Sequence, residues 1–143
     1  MTQVDFYVLS AGARGNRYEL ACRLAEKAWR QEHRVLIHVD TPELATHMNR
    51  LLWTYRDRSF VPHGVLGEAD PALNPVLLTA GDDPGGEHDV LINLAQSVPT
   101  FFSRFARVAE CVDDEAAARA ASRERFRFYR DRGYPLRTLD ISQ

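Results

Sequence analysis

Short apolar runs alternate with longer amphipathic stretches along this chain, and that alternation constrains the fold more than any other feature. Residues 3–9, Gln-Val-Asp-Phe-Tyr-Val-Leu, read as a strand of β-branched and aromatic residues. Arg34-Val-Leu-Ile-His-Val-Asp40 is nearly continuous apolar, the pattern of a strand buried on both faces. Between them Leu20, Ala21, Leu24, Ala25, Ala28 and Trp29 recur at helical steps, so a helix is expected over about 16–32 with Asn16 as its cap. Thr41-Pro42-Glu43 is a second helix start: a capping hydroxyl, proline at the first helical position, and an acid at the positive end of the dipole. That helix runs to about Trp53.

Residues 54–75 carry Pro62, Gly64, Gly67 and Pro71 without a clear period and read as an ordered loop. Pro75–Thr79 and Asp89–Leu94 are short strands joined by the turn Gly81–Gly86. A link that short suggests antiparallel pairing. A short helix over 99–105 carries Phe101, Phe102 and Phe105, and Arg107–Val112 is a strand. Asp113 or Asp114 caps a long helix to about Arg132, closed by Gly133. Tyr134–Gln143 reads as a tail. The order predicts a three-layer α/β fold, a mostly parallel central sheet with helices on both faces. A chain of 143 residues makes one domain of that kind, spanning 1–143.

Composition excludes several classes. Hydrophobic residues at 45% rule out global disorder, and no stretch approaches the length of an apolar membrane span. Charged residues throughout the first thirty positions break any signal-peptide core, so a cytoplasmic location is expected. Net charge is −2, which does not suit the whole surface to nucleic acid. Cys22 and Cys111 have no partner at ligand spacing, and none of the five histidines pairs at metal-binding spacing, so no metal and no cofactor is expected. The first loop, Ser10–Asn16, matches neither G-x-G-x-x-G nor a P-loop, and there is no G-x-S-x-G elbow. No catalytic set is visible. A small flavodoxin-like enzyme or nucleotide binder remains the alternative, because the fold class hosts many of them.

Two segments stand out. Trp53, Tyr55, Phe60 and Val61 cluster where a helix runs into a loop, a composition that suits an interface anchor and equally aromatics folded back onto the core. The last helix carries six Arg against two acids over 116–132. Arg119, Arg123, Arg127 and Arg130 share one face beside Phe126. A solvated face would alternate in sign. An arginine stripe beside an aromatic instead suits an anionic partner with an apolar group. An acidic peptide fits the negative overall charge better than direct nucleic-acid binding does.

At these segments the chain resembles the chi-subunit family of bacterial DNA polymerase III holoenzyme. The carrying residues are Phe6–Leu9, Arg34–Ile37, Leu52-Trp53, Ser59-Phe60-Val61-Pro62-His63, Gly67-Glu68, Asp89–Leu94 and Arg123–Arg130. The resemblance implies a Rossmann-like fold and a non-catalytic accessory of the clamp-loader complex. It implies a bridge between the psi subunit and the acidic C-terminal tail of single-stranded DNA-binding protein (SSB), and through SSB an indirect link to single-stranded DNA. Trp53, Phe60, Val61 and Pro62 match the psi-contacting region. Val112, Arg119, Arg123, Phe126, Arg127 and Arg130 match the SSB-tail site. The family pattern can show Lys at positions 119 and 127, where Arg keeps the charge, and Tyr at 126, where Phe carries no hydroxyl.

Overall fold

The computed structural model describes residues 1–57 and 60–142. Strands β1 (Gln3–Leu9), β2 (Val35–His38), β3 (His63–Val65), β4 (Val76–Thr79), β5 (Val90–Asn93), β6 (Arg107–Val112) and β7 (Leu136–Ile141) form one sheet. Their order is β3-β4-β2-β5-β6-β1-β7 and every neighbouring pair is parallel. Helices α1 (Arg17–Arg30), α2 (Pro42–Thr54) and α3 (Ala116–Asp131) complete the three layers.

The period-two alternation of the strands sorts their side chains into two cores. Val35, Ile37, Val76, Leu78, Ile92 and Cys111 point to the side covered by α1 and α2. Leu36, Leu77, Leu91, Val108 and Val112 point to the side covered by α3 and the Phe101–Phe105 turn. Both helix starts anticipated from sequence form as expected. Asn16 accepts from the Tyr18 and Glu19 N–H groups, and Thr41 accepts from Leu44 N–H.

Four local expectations are corrected. β4 and β5 are not antiparallel partners: they flank β2, each parallel to it, and residues 80–89 make the crossover without a helix. The expected loop 54–75 contains β3, whose His63 and Gly64 are buried. The expected tail contains β7, which pairs with β1 from Val4↔Leu136 to Leu9↔Ile141. Neither Asp113 nor Asp114 occupies the cap position of α3, which falls to Glu115. Asp113 instead accepts from the Glu115 N–H at 3.2 Å and from the Arg17 N–H at 3.0 Å, and pairs with the Arg17 guanidinium at 3.2 Å. It thereby ties the start of α1 to the start of α3.

One polar cluster holds α3 to the sheet. Glu110, fully buried on β6, accepts from Arg125 Nε at 2.9 Å, Tyr129 Oη at 2.7 Å and Asn93 Nδ2 at 3.1 Å. Arg125 also donates to the Gln96 carbonyl at 3.0 Å. Around it Phe6 stands edge-on to Phe126 and Tyr129, and Phe102 edge-on to Phe128, Tyr129 and Tyr134.

Arg125→Met leaves the Glu110 carboxylate buried without its cation, and should cost about 3–5 kcal/mol of stability in urea unfolding. A loss under about 1 kcal/mol would show that the pair does not anchor α3. Asp113 gives a pH signature. Burial alone would raise its carboxyl, but the N–H donors of Arg17 and Glu115 and the Arg17 guanidinium hold it below its ordinary value. Its stabilisation is therefore present above the unfolded carboxylate pKa of about 3.9 and disappears as pH falls through the lower folded value. Asp113→Asn should lower Tm at neutral pH, and the gap to the parent protein should close in strong acid.

Candidate functional site

Because α3 turns Arg125 and Tyr129 inward onto Glu110, its opposite side faces solvent with the arginine stripe. The four arginines are not equivalent. Arg119 is half-buried and its Nη2 donates to the Leu9 carbonyl at the end of β1, at 3.2 Å. Arg127 pairs with Glu124, and Arg130 with its neighbour Asp131 at 3.0 Å. Arg123 is exposed and has no ion pair or hydrogen bond among the described residues. Phe126, half-buried, leans its ring on Phe6 at 5.3 Å between centroids. Val112 lies in the same cluster at 2% exposure, beneath the surface and not on it. The result is an apolar step edged by one uncommitted guanidinium and two loosely paired ones.

The second surface lies at the other end of the sheet. Trp53, in the last turn of α2, is 60% exposed and Phe60 is 74% exposed. The Trp53 ring stands 4.6 Å from that of His63, whose two ring nitrogens face the Val61 carbonyl at 2.7 Å and the Asn49 carbonyl at 2.9 Å. Val61 is a core residue at 1% exposure and Pro62 is half-buried, so these two fix the loop while Trp53 and Phe60 project. Ser59 lies outside the described residues.

The sequence reading missed three residues. Arg125 enters the count of six arginines but not the stripe, and is the one arginine of α3 turned into the core. Glu110 passed as part of an apolar strand. A charged residue between Ala109 and Cys111 in a strand buried on both faces was the signal, since such a charge needs a buried partner. Asn49, one turn before Trp53, has a buried side-chain oxygen without a donor among the described residues. Its spacing of four from Trp53 was visible.

A cavity of about 450 Å³ beside Pro42, Glu68 and Thr79 has no basic side chain in its lining to meet a phosphate, and at the carboxyl ends of β2, β5 and β6 the cavity among Arg17, Asp40, Gln96 and Arg125 is only about 50 Å³. A small-molecule site needs roughly 300–1,000 Å³. Both arginines there are already held by carboxylates. Among the described residues no group of three His, Cys, Asp or Glu side chains could hold a metal ion. Burial pushes both thiols up, Cys22 to about 12, so neither is a thiolate at neutral pH. No helix among the described residues is long and apolar enough to cross a membrane.

The family described as DNA polymerase III chi subunit, HolC, matches residues 1–137. The chain belongs to the DNA polymerase III chi-subunit family. It is 47% identical over 136 residues to the DNA polymerase III subunit chi of Pseudomonas aeruginosa, covering 95% of this chain and 94% of that one. It is 31% identical over 138 residues to the subunit chi of Haemophilus influenzae, with 96% of each covered. Against that of Escherichia coli it is 32% identical over 121 residues, covering 84% of this chain and 82% of the relative. Both exposed surfaces of this chi-family chain fall within the matched residues.

The unequal ties of the stripe separate fold from surface. Arg119→Ala removes a charged donor from the Leu9 carbonyl and should cost about 1.5 kcal/mol of stability. Arg123→Ala should stay within about 0.5 kcal/mol of the parent, as surface changes do. Thermal unfolding of the two variants measures both, and equal losses would contradict the geometry.

Proposed function

We propose that this chi-family chain is a non-catalytic accessory subunit of the DNA polymerase III clamp-loader complex. In this reading it bridges the psi subunit to the acidic C-terminal tail of SSB and so meets single-stranded DNA indirectly. The observation that carries the reading is the exposed guanidinium of Arg123, unpaired among the described residues, beside the half-buried Phe126 ring. A peptide ending in an aromatic residue with a terminal carboxylate needs both features side by side. Arg123 takes the carboxylate in a charge-assisted, bidentate pair. Phe126, with Val112 beneath it, receives the terminal ring. Arg127, Arg130 and the remaining donors of Arg119 attract the upstream acids through screened, longer-range contacts.

Trp53 and Phe60 form the psi anchor in this reading. Both are large and exposed, and the buried Val61 and half-buried Pro62 anchor the loop next to Phe60. The two surfaces lie on different parts of the molecule, one on α3 and one beside edge strand β3, so both partners can be held at once.

Fluorescence anisotropy with a labelled acidic peptide ending in Phe tests the first surface. Arg123→Ala should weaken binding by about 1.5–3 kcal/mol, the range for hydrogen bonds to charged groups. Arg127→Ala should cost about 0.2–1 kcal/mol, with an effect that fades in salt. Tight binding of a peptide lacking its terminal Phe would refute the pocket. For the second surface, Phe60→Ala should reduce psi affinity by about 2 kcal/mol.

A further inference from the structure

Parallel sheets are normally covered on both faces. Here the α1 side of β1 and β7 is left largely open among the described residues, because α1 lies mainly over β2, β5 and β6. The result is a groove of about 530 Å³ between α1 and the β7 edge. Tyr7, Ile92, Ala109, Leu139 and Ile141 line its floor and Leu24 its wall. Tyr7, Leu24, Leu139 and Ile141 are only half-buried. Burial against this floor raises the Tyr7 pKa, with nearby Asp5 adding to the effect. The uncovered width is two strands, about 10 Å, which is the diameter of one α-helix.

The rim is unbalanced in charge. Lys27, Arg107 and Arg137 edge the groove. The acid among its lining residues, Asp5, is buried and already gripped by both Arg137 nitrogens at 3.1 and 3.2 Å. Arg107 reaches it only at 3.8 Å, and Lys27 has no partner among the described residues. His33, the other titratable group at the rim, is held by Asp89.

We infer that the groove over β1 and β7 is a third docking surface, for an amphipathic helix of a partner protein whose apolar stripe is flanked by acidic residues. The apolar stripe completes the missing cover over Tyr7, Leu139 and Ile141, and the acids meet Lys27 and Arg107. The surface lies on the opposite side of the sheet from α3 and at the opposite edge from β3, so it does not compete with either surface described above.

A synthetic helix-forming peptide with Leu at positions i, i+3, i+4 and i+7 and Glu on both flanks is the probe, with a Lys-flanked twin as control. The Glu peptide should bind at least about tenfold more tightly than its twin at low salt. It should shift the backbone amide NMR signals of Tyr7, Leu24 and Ile141. The double variant Lys27→Glu/Arg107→Glu, altered only at exposed side chains, should reverse the preference. Equal binding of the two peptides, no binding, or shifts confined to α3 would overturn the proposal. So would a dimer in sedimentation velocity that Lys27→Glu dissolves, because the groove would then belong to a second copy of this chain.

Discussion

The buried carboxylate of Glu110 is the constraint on which the α3 side of the molecule depends. A fully buried anion is tolerated only if its lone pairs are satisfied, and three donors from two helix turns and a neighbouring strand do so here. Arg125 and Tyr129 are four residues apart and converge on one group. That fixes the rotation of α3 about its own axis as well as its distance from the sheet. An apolar stripe alone would leave the helix free to roll by some degrees. With the rotation fixed, the residues on the opposite side of α3 are fixed too, and those are the arginines that face solvent.

The sheet then separates the surfaces. β3 and β7 are its edges and α3 packs over β6 and β1 on one face. Trp53 and Phe60 project at the β3 end because β3 is an edge strand without a further neighbour to bury them, while His63 and Val61 anchor the loop in the core. At the other edge, β7 extends the sheet past the reach of α1. Each edge thus creates an exposed apolar feature, one built from aromatics on a loop and one from a strand face.

Much of this was legible in the sequence, and what was missed has physical reasons. The buried runs at 35–39 and 90–94 and the caps Asn16 and Thr41 announced their elements, because local chemistry alone decides them. β3 is short and its strand character comes from pairing with β4, so His63-Gly64-Val65 carries no period to read. β7 carries half-buried Leu136, Leu139 and Ile141 among exposed Arg137, Thr138 and Asp140, and those polar positions resemble a tail. The parallel arrangement of β4 and β5 depends on β2 entering between them, a long-range event that the length of the 80–89 link does not report. In the site, Trp53, Phe60, Arg123 and Phe126 were legible by residue type and spacing. Val61, read into the first cluster by residue type, and Val112, given by the resemblance, both lie beneath the surface.

The six arginines of α3 show why composition could not finish the assignment. Residue type and helical angle separate Arg125 from the stripe, but they do not reveal that Glu110 waits beneath it. Nor do they reveal that Leu9 offers a carbonyl to Arg119, or that Glu124 lies within reach of Arg127. The charge excess read from sequence is therefore larger than the charge the surface has to offer. Subtracting the arginines with partners leaves Arg123 as the guanidinium of the stripe with none among the described residues. A binding site for an anion is defined by which donors the fold leaves unspent, and that quantity exists only once the strands and helices have been brought together.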